Sequence, residues 1–358
     1  MRKLIKFELR KILTKRLMLI AIAAVILLSI LLGVSISQSM YAFDGTSNEG
    51  TGQTAISIDK SIVAKYKGVL TDEKVQQMMA DFKPKSDLHG MNAVYLYQNA
   101  MQSAVFARFS DINGDWNGLS VADVFENEKI KIGYVNGWLC TSQNMAKVSI
   151  VLSLVIILMI APVFSGEYDG VDNIILTSKY GKTKCGTAKV MASLLATLLV
   201  TAFVVITNIM IAFMIYGGDG LDCSILFGPL AFTEGYIPFN ITCGTLLKYQ
   251  VLLAFTSAAS VTGITLILSA ACKNQMVAYV ASVAIYLLPI MMPIAETDLL
   301  FKLIVLMPFY HSQYISIMSV EQMGNGMLYA VWAIPVAIIL ITFGFAVSCR
   351  VFAKHQVS

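Results

Sequence analysis

Charge is scarce in this chain. Of its 358 residues only 13% are Asp, Glu, Lys or Arg, while 57% are hydrophobic, and the mean hydropathy is +0.71. Soluble domains carry roughly 25% charged residues, so the composition belongs in a bilayer rather than in water. Histidine is rarer still. His89, His311 and His355 lie far apart, and no Cys-x-x-Cys pair occurs among the six cysteines, so no metal pattern is present. Cys223 and Cys243 fall in one loop, which leaves a disulfide and two unpaired thiols both open.

Catalytic signatures are missing as well. There is no His-Glu-x-x-His pair and no Gly-x-Ser-x-Gly elbow. Gly181-Lys182-Thr183 resembles the end of a phosphate-binding loop, but Leu176 stands where that motif needs glycine to let the backbone wrap phosphates. The apolar runs are nearly free of ionisable side chains, whereas ion-coupled transporters place such groups within the membrane. The nearest, Glu296 and Asp298, sit at the end of a run, and Asn208 reads as interhelical glue. Energy for any transport must therefore come from a partner. No cofactor is expected in this chain, and no nucleic-acid partner.

What the chain has is long apolar runs. About 20 such residues cross the hydrocarbon core as a helix, and only helices satisfy their own backbone there. Six runs qualify: Leu17–Ser37, Val148–Ser165, Val190–Tyr216, Tyr249–Cys272, Gln275–Ala295 and Leu328–Cys349. The first is read as an uncleaved span, because it outruns a signal-peptide core and Ser35-Ile36-Ser37 is a poor cleavage site. Cys223–Leu247 is read as a surface or partly re-entrant segment, since Gly228, Pro229, Gly235 and Pro238 interrupt it. Residues 299–320 are read as an outer re-entrant segment, with Pro308 stopping a short apolar stretch. The Ser and Thr residues of the fourth run, Thr256 to Thr265, with Ala258, Ala259 and Gly263, read first as close helix packing, with a substrate-lining face as the alternative.

Lys and Arg mark the cytoplasmic side. Arg2, Lys3, Lys6, Arg10, Lys11, Lys15 and Arg16 against one acid, Glu8, place the N-terminus inside, and six spans return the C-terminus inside. The inner side then holds 14 basic and 4 acidic residues, and the outer side 12 and 18. In residues 1–16, Leu4, Ile5, Leu9, Ile12 and Leu13 can share one helical face, which gives an interfacial amphipathic helix; the alternative is a basic tail of no fixed structure. Anionic headgroups favour it either way.

Residues 38–147 form an outer domain of roughly 110 residues, the size of a small domain. Asp44–Gly52 reads as a flexible linker. Thr71 caps a helix to about Phe82, with Asp72 and Glu73 in its first turn. A second helix is expected from Met91 to Phe109. Asn113-Gly114 and Asn117-Gly118 mark turns. No alternation is strong enough for a sheet, so the domain is expected to be mostly helical. The expected fold class is all-α and polytopic: the interfacial helix 1–16, a first span 17–37, the outer domain 38–147, and a five-span membrane domain 148–358.

The inner loop 165–189 is the most distinctive polar segment. It reads Glu167-Tyr168-Asp169-Gly170-Val171-Asp172, then Ile174-Ile175-Leu176, then Ser178-Lys179-Tyr180-Gly181-Lys182 and Lys189. Together with the leader Lys6-Phe7-Glu8-Leu9-Arg10-Lys11-Ile12-Leu13 and the six spans, its order and spacing resemble the permease subunits of type-2 ABC transporters, mainly bacterial exporters. The resemblance covers nearly the whole chain. It implies that Lys6, Phe7, Leu9, Arg10 and Leu13 belong to an elbow helix on the inner membrane surface. It implies that Glu167, Tyr168, Asp169, Gly170, Val171, Asp172, Ile174, Ile175 and Leu176 form a coupling helix docked on a separate ABC ATPase, which supplies ATP and Mg. It further implies a second permease chain and a bacterial plasma-membrane location. The alternative for the loop is a solvated connection. Lys179–Lys189 is read as a topology and lipid-contact segment. The outer domain departs from the short loop of many family members. The expected function is ATP-driven export of an amphipathic or hydrophobic cargo such as a peptide, lipid or drug. The alternative is a peptide-sensing or immunity component whose outer domain binds a ligand.

Overall fold

A computed structural model describes residues 1–45, 47–83, 98–168, 181–228, 240–292, 304, 306–311 and 329–354. In chain order the elements are α1 (Arg2–Leu13), α2 (Arg16–Ser39), β1 (Tyr41–Phe43), β2 (Glu49–Thr51), α3 (Gln53–Tyr66), β3 (Gly68–Val69), α4 (Asp72–Asp81), α5 (Ala100–Phe109), α6 (Val121–Val124), β4 (Lys131–Ile132), α7 (Asn136–Ile160), α8 (Pro162–Ser165), α9 (Gly186–Tyr216), α10 (Cys243–Ala271), α11 (Gln275–Met291), α12 (Pro308–His311) and α13 (Tyr329–Lys354). A single π-turn, Gly181–Cys185, leads into α9.

Among the described residues five helices are long and apolar enough to cross a membrane: Arg16–Ser39, Asn136–Ser165, Thr183–Tyr216, Cys243–Ala271 and Trp332–Lys354. The molecule is therefore a mostly helical, multi-pass membrane protein by length and composition. Six such runs were expected. The fifth, Gln275–Ala295, is represented by α11, whose 17 residues end at Met291 after an internal Pro289. At 1.5 Å per residue it is about 25 Å long, short of a full hydrocarbon core. Asn274 caps its start, its side chain accepting from the Met276 amide at 2.7 Å. The second run begins twelve residues before the expected Val148, at Asn136.

Two compact units divide the chain: residues 1–29, 145–207 and 249–358 form the first, and 30–144 with 208–248 the second. In the first, the expected close packing of α10 is present. Thr197 and Thr262 hydroxyls meet at 2.8 Å, and the Ser257 hydroxyl donates to the Pro308 carbonyl at 2.8 Å. A Cβ on Gly344 would fall 2.5 Å from the Gly263 carbonyl oxygen, so glycine at both positions lets α10 and α13 touch by backbone.

The second unit corrects three expectations. Asp44–Gly52 is not a loose linker. β1 and β2 pair antiparallel, Tyr41 opposite Thr51, and the Asp44 carboxylate closes the turn by accepting from the Ser47 and Asn48 amides at 3.2 Å. A second small ladder pairs β3 with β4, so strands occur where none were expected. The helix expected from Met91 starts at Ala100. Asn99 is extended and its side chain accepts from Gln102 N at 2.7 Å, the cap that starts this helix; residues 91–97 lie outside the described residues. Thr71 does cap α4, and Gly114 and Gly118 take the positive φ their turns need. The Arg108 guanidinium fastens Ile225–Gly228 to α5 by donating to the Leu226 and Gly228 carbonyls at 2.6 and 3.1 Å. Cys223 and Cys243 are both unbridged and buried, side by side through a Cys243 N to Cys223 O bond of 3.0 Å.

Asp59 of α3 is a buried carboxylate, 3% exposed, that accepts from the Ala100 amide at 3.0 Å. Burial raises its pKa to about 6, against the opposing pull of that amide and of Asn136. A raised folded-state pKa stabilises below the unfolded value, near 4, and the contribution is lost as pH rises through about 6. Thermal unfolding of the full chain in detergent should therefore show the second unit stabilised between pH 7 and pH 4, by up to about 3 kcal/mol. Asp59→Asn should flatten that slope and raise stability at pH 7.

Candidate functional site

The distinctive polar loop 165–189 begins where α7 ends. Pro162 cannot donate to the helix ladder, so α7 stops at Ile160 and a single turn, α8, follows. Ser269 on α10 satisfies the break: its hydroxyl donates to the Ala161 carbonyl at 2.6 Å and accepts from the Phe164 and Ser165 amides at 3.0 and 3.4 Å. Gly166 then turns the chain tightly. A Cβ there would sit 2.7 Å from the Pro162 carbonyl oxygen. The turn aims Glu167 back into the protein, where it is 4% exposed.

Glu167 meets Lys189, which is wholly buried. The Lys189 ammonium donates to Glu167 Oε1 at 2.6 Å, to the Val163 carbonyl at 3.2 Å and to Glu8 Oε2 at 3.3 Å. Lys11 also donates to Glu167 Oε1. Glu8 and Lys11 both belong to α1, so the leader helix, the start of the loop and the first turn of α9 are pinned at one buried point. Lys11 feels two opposing effects. Burial pulls its pKa down, but the hydrogen bond and charge of Glu167 outweigh it and the net shift is upward.

Tyr168 completes the junction. Its hydroxyl donates to the Ala270 carbonyl at 2.8 Å, and its ring stacks at 6.5 Å on Phe352 of α13. Phe352 is fully buried and also meets Phe164 at 5.0 Å. Four helices, α1, α9, α10 and α13, thus converge on residues 163–168.

Of the nine loop residues singled out in the sequence, the structure places Glu167 and Tyr168, both turned inward. Asp169, Gly170, Val171, Asp172, Ile174, Ile175 and Leu176 lie outside the described residues. Of the leader residues, α1 confirms a helix rather than a structureless tail. Its buried side presents Glu8 and Ile12, with Ile5, Leu9 and Leu13 half-buried, while Lys6, Phe7 and Arg10 are exposed. The re-entrant expectation for 299–320 is described only at 304 and 306–311. The topology and lipid-contact reading of Lys179–Lys189 fails at its last residue. Lys189 touches no lipid-accessible surface; it is the centre of the buried cluster. Glu8, Lys11 and Lys189 are the site residues that the sequence reading passed over. No family model and no curated protein matches this chain.

Removing one partner of a buried ion pair leaves an uncompensated charge and costs roughly 3–5 kcal/mol. Lys189→Met alone, which strands Glu8 and leaves Glu167 with Lys11 only, should lower the thermal midpoint markedly. Adding Glu8→Gln and Glu167→Gln to it should recover much of the loss, because neutral partners need no ammonium. Differential scanning of the purified full chain reads both outcomes.

Proposed function

We propose that this chain is the membrane-spanning permease subunit of an ATP-driven transporter that works with separate ABC ATPase subunits. The observation that carries the reading is the buried Lys189 cluster. It ties the amphipathic leader to the start of the 165–189 loop through Glu8, Lys11 and Glu167. An ATPase that moves when it hydrolyses ATP needs a stiff lever to push on. A loop braced at its root by buried charge and by the Phe164–Phe352–Tyr168 ring stack transmits displacement instead of absorbing it.

On this reading the loop has a division of labour. Glu167 and Tyr168 are committed to contacts within the chain and brace the lever. Asp169, Asp172 and the apolar group Val171, Ile174, Ile175 and Leu176 supply the docking surface, with apolar anchors for affinity and charges for register. The leader lies on the inner membrane surface, ATP and Mg are held by the partner, and both termini are cytoplasmic. The exposed apolar ridge of α9, Met191, Leu195, Leu199, Phe203, Ile206 and Met210, faces lipid or a second permease chain. The cargo class is amphipathic or hydrophobic, in keeping with the lack of charge along the spans.

Isolation of the full chain from its native membranes, with mass spectrometry of what accompanies it, tests the reading. An ABC ATPase should co-purify, and Asp169→Lys with Asp172→Lys should lower its recovery about tenfold while the chain stays folded. A loss of that size corresponds to roughly 1.4 kcal/mol, within the range of a charge-assisted contact. Recovery unchanged by the double variant rejects the docking surface. Absence of any ABC ATPase rejects the permease reading.

A further inference from the structure

A cavity of about 320 Å³ lies beside the buried cluster, within the first unit. Its walls are apolar: Ile12 of α1, Met18 of α2, Leu158 and Met159 of α7, and Tyr279 of α11. Ligand sites begin near this size and are built this way, mostly apolar with a few polar groups. The polar groups at this one include Gln275 of α11 and Lys15, the link between α1 and α2, and of the lining residues only Lys15 carries a charge. Two rim residues, Leu17 and Met276, are 61% and 63% exposed, so the cavity opens sideways onto the apolar flanks of α2 and α11 rather than onto a polar surface.

Charge identifies the occupant. The cluster gathers three lysines, Lys11, Lys15 and Lys189, around two carboxylates, Glu8 and Glu167. Glu167 Oε1 is taken by Lys11 and Lys189, and Glu8 by Lys189. Lys15 has no ion pair among the described residues, so one positive charge is left over, at the mouth of an apolar slot. Burial, then the positive charges of Lys11 and Lys189, lower the Lys15 pKa, which is the condition an arriving anion relieves.

We propose that this cavity binds one acyl chain of an anionic membrane phospholipid, with the lipid phosphate on the Lys15 ammonium. Lys15 stands where an amphipathic helix gives way to an apolar span, the depth at which phosphates lie. The chain enters between α2 and α11 and packs against Met18 and Met159, side chains flexible enough to fit an irregular alkyl group. The lipid then neutralises the surplus charge of the cluster and fills the gap beside it. This inference concerns the isolated chain and stands apart from the ATPase reading.

Native mass spectrometry of the full chain in detergent tests it, with phosphatidylglycerol and phosphatidylcholine of identical acyl chains as probes. The wild type should retain phosphatidylglycerol about fivefold more readily, the preference one well-placed lysine confers. Lys15→Gln should abolish the preference and Lys15→Arg should keep it. A phosphatidylglycerol with a photoreactive acyl chain should label wild-type Met18, Met159 or Met276, a readout that needs no variant. Equal retention of the two lipids by the wild type overturns the proposal. So does a preference that survives Lys15→Gln, labelling confined to other segments, or a cavity occupied by a second copy, seen as a dimer that excludes the photoprobe.

Discussion

One buried ammonium organises the membrane end of this molecule. Lys189 has no access to water, and an isolated charge in that position would be untenable. Its three acceptors, Glu167, Glu8 and the Val163 carbonyl, come from two separate stretches of chain, α1 and the turn at 163–167. Each must be held in place for the charge to be tolerated. The demand for partners thus becomes a positional constraint: α1 must lie where Glu8 reaches, and the turn after Pro162 must bring Glu167 inward. Replacing such a cluster by apolar groups is often neutral for stability. Its value here is to fix one arrangement of leader, loop root and α9.

The gross architecture was legible because periodicity and apolar length report it directly. Five of the six expected spans coincide with helices long and apolar enough to cross a membrane, the other with the shorter α11, and Thr71, Gly114 and Gly118 act as their chemistry demands. The boundaries were less legible. Hydropathy begins the second run at Val148, yet α7 starts at Asn136, because Trp138, Leu139 and Cys140 are buried by protein rather than lipid. The Asp44 turn was missed since nine polar residues look alike whether they form a tether or a hairpin. Only the paired Asp44 acceptances reveal which.

The charged cluster was hidden by the habit of reading charge as topology. Its signals were present. Glu8 falls on the same side of α1 as Ile5 and Ile12, the side a lone exposed acid avoids. Lys189 begins a four-residue stripe with Ser193, Thr197 and Thr201, every member of it fully buried. A lysine in register with small, interior hydroxyls belongs to the packing interface, and it needs a carboxylate within reach. Glu8 and Glu167 were among only four acids on the side that the Lys and Arg bias marks as inner.

On the proposed reading, force enters at residues 169–176 and reaches α1, α9, α10 and α13 through a junction only a few residues long. The surplus charge at Lys15 then adds the lipid surface to the same junction. Hydrogen–deuterium exchange of the leader amides, residues 2–13, in wild type and Lys189→Met tests the central claim most directly. Loss of the ammonium should release α1, so these amides exchange faster while those of α3–α5 keep their rates. Leader exchange unchanged in a folded Lys189→Met chain would contradict the account, because α1 would then be held by something other than the Lys189 ammonium.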